Sequence, residues 1–354
     1  NHNIIANNTC YNNCDGLHIY SGEYNTVSGN NLSYNNNYQG TKINIKIQAS
    51  NNNITNNTCL GSGVGISISA GDDIRIEGNI FNHNNVGIQV YNFEHKRLVV
   101  TNNTCNGNGY GVYLYYVSDS LIFNNTCEDN GKAGIFFDKR AINNVISNNT
   151  IRNNGYQLVD DGYGMAFAGH GLVLDGAGEY DNCYDNIIFN NTIRNNRLHG
   201  INITSATSNI LFGNVLMGNN GATSVYDPAH VQAYDSGENF WNDTEFGNLW
   251  GDWTSPDANG DGIVDEAYLI DGGTNQDHLP LAVSVAITSP ADGFSIGETS
   301  VDISGTAISY FGVAQVTWYN AATDGSGTCI GAEDWNATIA LAEGENLITV
   351  TMTD

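Results

Sequence analysis

The sequence predicts an all-β protein: a parallel β-helix, a solenoid with rungs of about 22–24 residues, followed by a small antiparallel β-sandwich. Three observations carry that prediction. A short phrase of the Asn-Asn-Thr type, followed by a small or apolar residue, returns nine times within the first 220 residues. The windows between returns alternate with period two, and no apolar set recurs at the i, i+3, i+4, i+7 spacing of a helix. From about residue 283 the text changes to longer alternating runs, about ten residues apart, with Gly and Asp turns.

The phrase begins at Asn7, Asn30, Asn56, Gly78, Asn102, Asn124, Asn148, Asn190 and Gly213. A unit of this length cannot bury its apolar face alone, so neighbours must stack. The third unit shows the grammar: Asn56-Asn57-Thr58-Cys59, a turn, Gly65-Ile66-Ser67-Ile68-Ser69, a second turn, and Ile74-Arg75-Ile76. Three short strands and three turns make one rung, and the Leu-x-x-Leu-x-Leu pattern of leucine-rich repeats is missing. Two residues before each anchor stand Ile5, Ser28, Ile54, Ile76, Val100, Ile122, Ile146, Ile188 and Leu211. Three residues after it stand Cys10, Ser33, Cys59, Phe81, Cys105, Cys127, Ile151, Ile193 and Leu216. Both columns are expected to face inward. Cys10, Cys59, Cys105 and Cys127 then act as small hydrophobes, while Cys14, Cys183 and Cys329 are unpaired and no CxxC pair suggests a metal site. The second residue of the phrase is always Asn: Asn8, Asn31, Asn57, Asn79, Asn103, Asn125, Asn149, Asn191 and Asn214. Asn suits tight turns, and stacked copies bond amide to amide, so this column predicts a structural ladder along the axis.

The formal charge of −26 is lopsided. Residues 198–354 contain 21 acidic groups and no Lys or Arg. Such a field repels nucleic acid, anionic lipid and polyuronate chains, and favours divalent cations, high salt or neutral partners. No transmembrane run is present. The chain opens in mid-rung at Asn1 without an initiator Met, which reads as a mature or excised segment. Asn31, Asn102, Asn242 and Asn336 are glycosylation candidates, although the repeat phrase by itself generates most of the Asn-x-Ser/Thr sequons.

The organisation predicted is a solenoid over 1–245, an aromatic cap with a calcium loop over 246–282, and the sandwich over 283–354. Between Asn148 and Asn190 the spacing stretches to 42 residues, one rung plus an excursion at about 155–183. Its candidate catalytic groups, should the protein be an enzyme, are Asp160, Asp161, Asp175 and His170. Carboxylates beside Tyr suit sugar binding or glycoside hydrolysis; a solvated cover on the rod is the alternative. Glu128, Arg152 and Arg194 share an outward column and read as a surface charge ladder. Phe240, Trp241, Phe246, Trp250 and Trp253 are expected to close the open end of the rod. The stretch from Asp257 to Asp265 has the acid-x-acid spacing and sixth-position Gly of an EF-hand-type loop. Its calcium ligands would be Asp257, Asn259, Asp261, the Ile263 carbonyl and Asp265. Tyr268 occupies the twelfth position, so Glu266 or Asp277 would have to complete the shell; a plain Asx-turn loop is the other reading.

The rungs, the stretch Tyr234-Asp235-Ser236-Gly237-x-x-x-Trp241, the 257–268 loop and the closing Asp277-His278-Leu279-Pro280-Leu281 resemble NosD-like right-handed parallel β-helix (PbH1 repeat) proteins, abundant on archaeal cell surfaces. Residues 283–354 resemble bacterial Ig-like modules, through Ile287-Thr288-Ser289-Pro290-x-x-Gly293 and the Asn346-to-Asp354 ending. The resemblance implies an extracellular or cell-surface address. Its name-giving members are linked to copper delivery, but the 8 His and 3 Met of this chain are not clustered, so copper is not carried over. His230 after Tyr226-Asp227-Pro228 partly resembles a Tyr-x-x-Asp-Pro-His signature of β-helical alginate epimerases, without its glycine and with Ala229 inserted. The function expected from the whole is a non-catalytic, stiff surface spacer that pairs with copies of itself or other surface-layer components. A carbohydrate-active hydrolase or lyase and a glycan-binding adhesin are the alternatives.

Overall fold

The computed structural model describes residues 1–35, 42–156, 169–178, 181–309 and 312–353. Contacts divide it into two compact units: Asn1–Asp252 with Ala267–His278, and Trp253–Glu266 with Leu279–Asp354. Residues 246–282 are thus shared between them.

The first unit is a parallel β-solenoid of eleven-, nine- and five-stranded sheets, in which every strand of one rung pairs with its counterpart in the next. Ile5, Val27, Ile54, Ile76, Val100, Ile122, Ile146, Ile188 and Leu211 lie in unbroken register. This column corrects the second rung by one residue: Val27, not Ser28, points inward. The same shift puts Leu32 in the core in place of Ser33, makes Asn30 rather than Asn31 the ladder residue, and makes Gly29 the anchor. The reason is conformational. Every true anchor, Asn or Gly, has φ between 52° and 66°, the left-handed region that Gly enters freely and Asn tolerates. Asn31 is exposed and pairs as strand backbone with Thr9 and Thr58.

The predicted ladder is present through the other eight positions and Asn30. Each Nδ2 donates to the Oδ1 one rung further on, as from Asn103 to Asn125 and from Asn125 to Asn149, both 3.0 Å. Two further ladders flank it, five residues before and five after. One runs through Asn144, Asn186, Asn209 and Asn239, the other through Asn130, Asn154, Asn196 and Asn219. All seven cysteines carry free thiols, and Cys59, Cys105 and Cys127 are buried as small apolar groups; Cys10, in the first rung, is half-buried.

All three ladders point their donors in the same direction, and each ends on an oxygen that can only accept. Asn248 donates from Nδ2 to Asp277 Oδ2 at 3.2 Å, Asn239 to Asp235 Oδ1 at 2.9 Å, and Gln232, which accepts from Asn219, donates to Asp252. A carboxylate oxygen suits a terminus that meets only donors. The same acids hold the cap: the indole of Trp250 donates to Asp277 at 2.9 Å, that of Trp241 to Asp235 at 2.8 Å, and the Tyr268 hydroxyl to Asp252. Trp250 stacks on Tyr268 at 3.9 Å, and Trp241, Trp250 and Tyr268 are fully buried. Of the aromatics expected to close the rod, Trp241 and Trp250 do so. Phe240 is exposed, and Phe246 instead packs edge-on against Phe212 on the outside.

The second unit contains a four-stranded and a three-stranded antiparallel sheet. Its core is Val301, Ile303, Ala307, Val316, Cys329, Trp335, Ala337 and Ile339, drawn from alternate positions of half-buried strands, as in a sandwich. The Ig-like expectation is met as far as small antiparallel sheets.

Candidate functional site

The variable part of each rung lies between the third ladder and the start of the next rung, and it supplies the nine-stranded sheet. In four neighbouring strands of that sheet, Tyr110–Tyr115, Ala133–Asp138, His170–Asp175 and Ile201–Thr204, the residues Val112, Leu114, Ile135, Phe137, Leu172, Leu174, Ile201 and Ile203 fill the interior. Residues between them face outward and build a second, separate cluster. Ala133, Phe136 and Val173 are buried there, with Tyr110 and Tyr113 packed against them. The three rings lie 5.4–5.5 Å apart. The Lys132 ammonium sits 5.2 Å from the centre of the Tyr110 ring, a favourable cation–π placement.

Asp138 and Asp175 end two adjacent strands and are register partners. Asp138 accepts the Tyr113 hydroxyl. Asp175 Oδ1 accepts the Thr204 hydroxyl at 2.7 Å and the Ala177 amide at 3.1 Å, leaving Oδ2 for another group. Burial pushes the Asp138 carboxyl above its ordinary range; the Tyr113 hydrogen bond opposes this, and the charges of Asp175 and Asp181 add to it. Next to the pair, Asp181 is held below its usual range by the Tyr116 hydroxyl at 2.8 Å and by Lys139 at 3.3 Å.

At the other end of the same strand His170 stacks on His199, centroids 5.5 Å apart. Burial first, and then His199, drives the His170 pKa down to about 4; burial also lowers that of His199. Asn202 Nδ2 lies 3.5 Å from His170 Nε2. Among the described residues His170 Nδ1 and Asn202 Oδ1 are buried without a hydrogen bond, on side chains only 5% and 8% exposed, although the His199 backbone partly offsets the fall in the His170 pKa.

Of the groups expected from sequence, Asp175 and His170 share this face, whereas Asp160 and Asp161 lie outside the described residues. Sequence reasoning missed Asp138, Tyr113, Asn202 and His199. The signal was available, since Asp138 stands five residues after Ala133 as Asp175 stands five after His170. Glu128 and Arg152 pair at 2.8 Å, with Arg194 next in register, so this column is a surface charge ladder. His230 Nδ1 is 2.7 Å from the Asn220 carbonyl and serves a turn.

In the 257–265 loop the acids accept backbone amides. Asp257 takes those of Gly260, Asp261 and Gly262 at 2.8–3.2 Å, Asp261 that of Ile263, and Asp265 that of Ala258. Asn259 Oδ1 accepts the Asp261 amide. Asp277 is not free to complete a calcium shell, because it ends a ladder, and Tyr268 at position twelve is a core residue of the cap. Asn31, Asn102 and Asn336 are exposed, and Asn242 is half-buried. Among the described residues no three His, Cys, Asp or Glu side chains gather to hold a metal ion.

Residues 34–172 match the family model described as periplasmic copper-binding protein (NosD), which bears out the NosD-like resemblance over that stretch. No curated protein matches the chain. Among solved structures it is similar to the periplasmic alginate epimerase AlgG, at 17% identity and TM-score 0.43 over 65% of this chain and 53% of that one. It is also similar to the Dettilon tailspike protein, at 14% identity and TM-score 0.47 over 97% and 83% of the two chains, and to pectate lyase Pel9A, at 15% and 0.39 over 64% and 57%. The chain spans about half the length of the AlgG epimerase chains it matches. These neighbours share the parallel β-helix fold. No helix of the described residues is long and apolar enough to cross a membrane.

Proposed function

We propose that this chain is an extracellular or periplasmic scaffold whose stiff solenoid presents one built face to a carbohydrate. The observation that carries the reading is the outer face of strands Ala133–Asp138, His170–Asp175 and Ile201–Thr204. There a largely buried aromatic cluster, edged by the half-buried Tyr110 and Tyr113, adjoins carboxylates and two buried polar atoms without a hydrogen bond among the described residues. Apolar surface with a few placed polar groups is what a neutral sugar chain requires. The surplus of acidic groups argues against an anionic polymer.

The test is retention on immobilised neutral polysaccharides. Binding should fall at least tenfold on Tyr113→Ala and be unchanged on Phe240→Ala, which alters an exposed aromatic away from this face. Equal retention of both variants, or none of the wild type, would refute the reading.

The spacer role without a ligand is a second reading, favoured by the three amide ladders along the solenoid. It expects no retention, and self-association visible by light scattering. Calcium at the 257–265 loop is part of the same extracellular picture. Calorimetric titration of the full chain should show binding that Asp257→Asn and Asp261→Asn abolish; no heat of binding would remove calcium from it.

A further inference from the structure

We propose that two copies of this chain pair side by side through the outer face of the eleven-stranded sheet, related by a two-fold axis parallel to the solenoid. This face lies apart from the nine-stranded sheet, so the pairing is independent of the carbohydrate reading. Each rung crosses the eleven-stranded sheet in a three-residue span whose middle residue, such as Val100, Ile122, Ile146 or Ile188, is buried inside. The two flanking residues turn outward, and register aligns them in two columns along the solenoid. From the fifth rung on, the first column is wholly apolar: Val99, Leu121, Val145, Ile187, Ile210 and Phe240. The second column holds Phe123, Phe189 and Phe212, with Thr101 and Ser147 between them and before them. Ile187 is 37% and Phe240 61% exposed, and the other apolar side chains of both columns are half-buried. A contiguous apolar strip of this kind marks an interaction surface.

Two features of the face name a second copy as its occupant. The first is charge. The fourth rung carries Arg75 in the first column and Glu77 in the second, joined at 2.7 Å, with side chains 45% and 34% exposed. A two-fold axis along the solenoid lays the first column of one copy against the second column of the other, each rung against its own counterpart. Arg75 then meets the partner's Glu77, and Glu77 the partner's Arg75, closing a ring of four alternating charges. In the same arrangement Ile187 meets the partner's Phe189, and Ile210 the partner's Phe212. Reversing one solenoid over the same length would set the fourth-rung charges against apolar rungs, without water or a counter-charge.

The second feature is area. From Ile4 to Phe240 the columns run through ten rungs, which is about 43 Å at the spacing of neighbouring strands, and the face is about 16 Å wide between its two turns. That gives roughly 700 Å² on each copy and about 1,400 Å² in the pair, within the range of stable, specific interfaces. The apolar strip by itself gives about 800 Å² in the pair, short of the roughly 1,000 Å² that a specific interface needs. The polar rungs with Arg75 and Glu77 therefore belong to the contact, as the parallel arrangement requires.

The experiment follows the full chain by sedimentation equilibrium, with the urea midpoint of each variant measured to show that it folds. Wild type should sediment as a reversible dimer. Ile187→Glu should raise the dissociation constant by about tenfold or more, whereas Ile330→Glu, at an exposed position of the second unit, should leave it unchanged. Arg75→Glu and Glu77→Arg should each be monomeric at concentrations where wild type is dimeric. An equimolar mixture of the two should dimerise again, as one copy of each by native mass spectrometry, because every Glu then faces an Arg. A monomeric wild type, a trimer, or a dimer indifferent to Ile187→Glu overturns the pairing through this face. A mixture no more associated than either variant alone overturns the parallel two-fold, since only that arrangement sets the fourth rung against itself.

Discussion

Replacing Asn125 by Ala removes one amide from the middle of the central ladder. The Asn125 side chain accepts from the Asn103 backbone and Nδ2, both at 3.0 Å. It donates to the Val100 carbonyl at 2.9 Å, the Phe123 carbonyl at 3.1 Å and Asn149 Oδ1 at 3.0 Å. It is 1% exposed, so water cannot replace these partners without opening the rung. At about 1 kcal/mol net per bond, and more for each buried group left unpaired, the loss is about 3–5 kcal/mol. The control is Asn124→Gly, one residue earlier. Its φ of 52° matches that of the glycine anchors Gly29, Gly78 and Gly213, so its cost should stay under about 1 kcal/mol. Urea unfolding followed by far-ultraviolet circular dichroism compares the two. A loss under about 1 kcal/mol for Asn125→Ala, or one equal to the control, would show that the ladder follows from the stacking rather than supporting it.

Other expectations follow from the same structure. Gly134→Ala places a Cβ 2.5 Å from Ile151 Cγ2 and 3.0 Å from Asn154 Nδ2. It should destabilise by about 1–3 kcal/mol through overpacking, measured in the same urea series. Asp277→Ala strips the Asn248 amide, the Asn248 side chain and the Trp250 indole of their acceptor. A loss of about 2–4 kcal/mol, with altered tryptophan emission, is expected. His170 has a folded pKa of about 4 against 6.5. A depressed histidine contributes stability that is full above the unfolded value and is lost as pH falls through that window. Wild type should therefore lose stability relative to His170→Gln between about pH 6.5 and 4, while the His170 ring resonances titrate near 4 by NMR; a midpoint near 6.5 would contradict its burial.

How much was legible from residues alone is clear from particular positions. The anchors were readable because only Asn and Gly enter the left-handed region without strain, which forces the phrase to repeat. At Gly29-Asn30-Asn31 two consecutive Asn obscured which one entered the turn, and the reading slipped by a residue. The flanking ladders were visible in principle at fixed offsets of five. Ile74 and Leu98 interrupt one of them, however, and without strand register there is no reason to count from the central Asn in both directions. The direction of the amide chains, and hence the need for Asp235, Asp252 and Asp277 at their ends, belongs to no local pattern.

From its residues alone this chain declares the period, the all-β class, the inward apolar columns and the switch to an antiparallel module, since these depend on spacing and on backbone preferences within one rung. Tertiary structure decided the rest: that Asp138 meets Asp175, that His170 stacks on His199, and that Tyr268 seals the cap against Trp250. These pairings join residues 29 to 37 positions apart, or belong to different turns of the coil. Up to the rung of Asn214, rung lengths vary in the stretch that carries the outer face, so the distance along the chain between two such partners is not constant, and only closure of each turn onto the last brings them together.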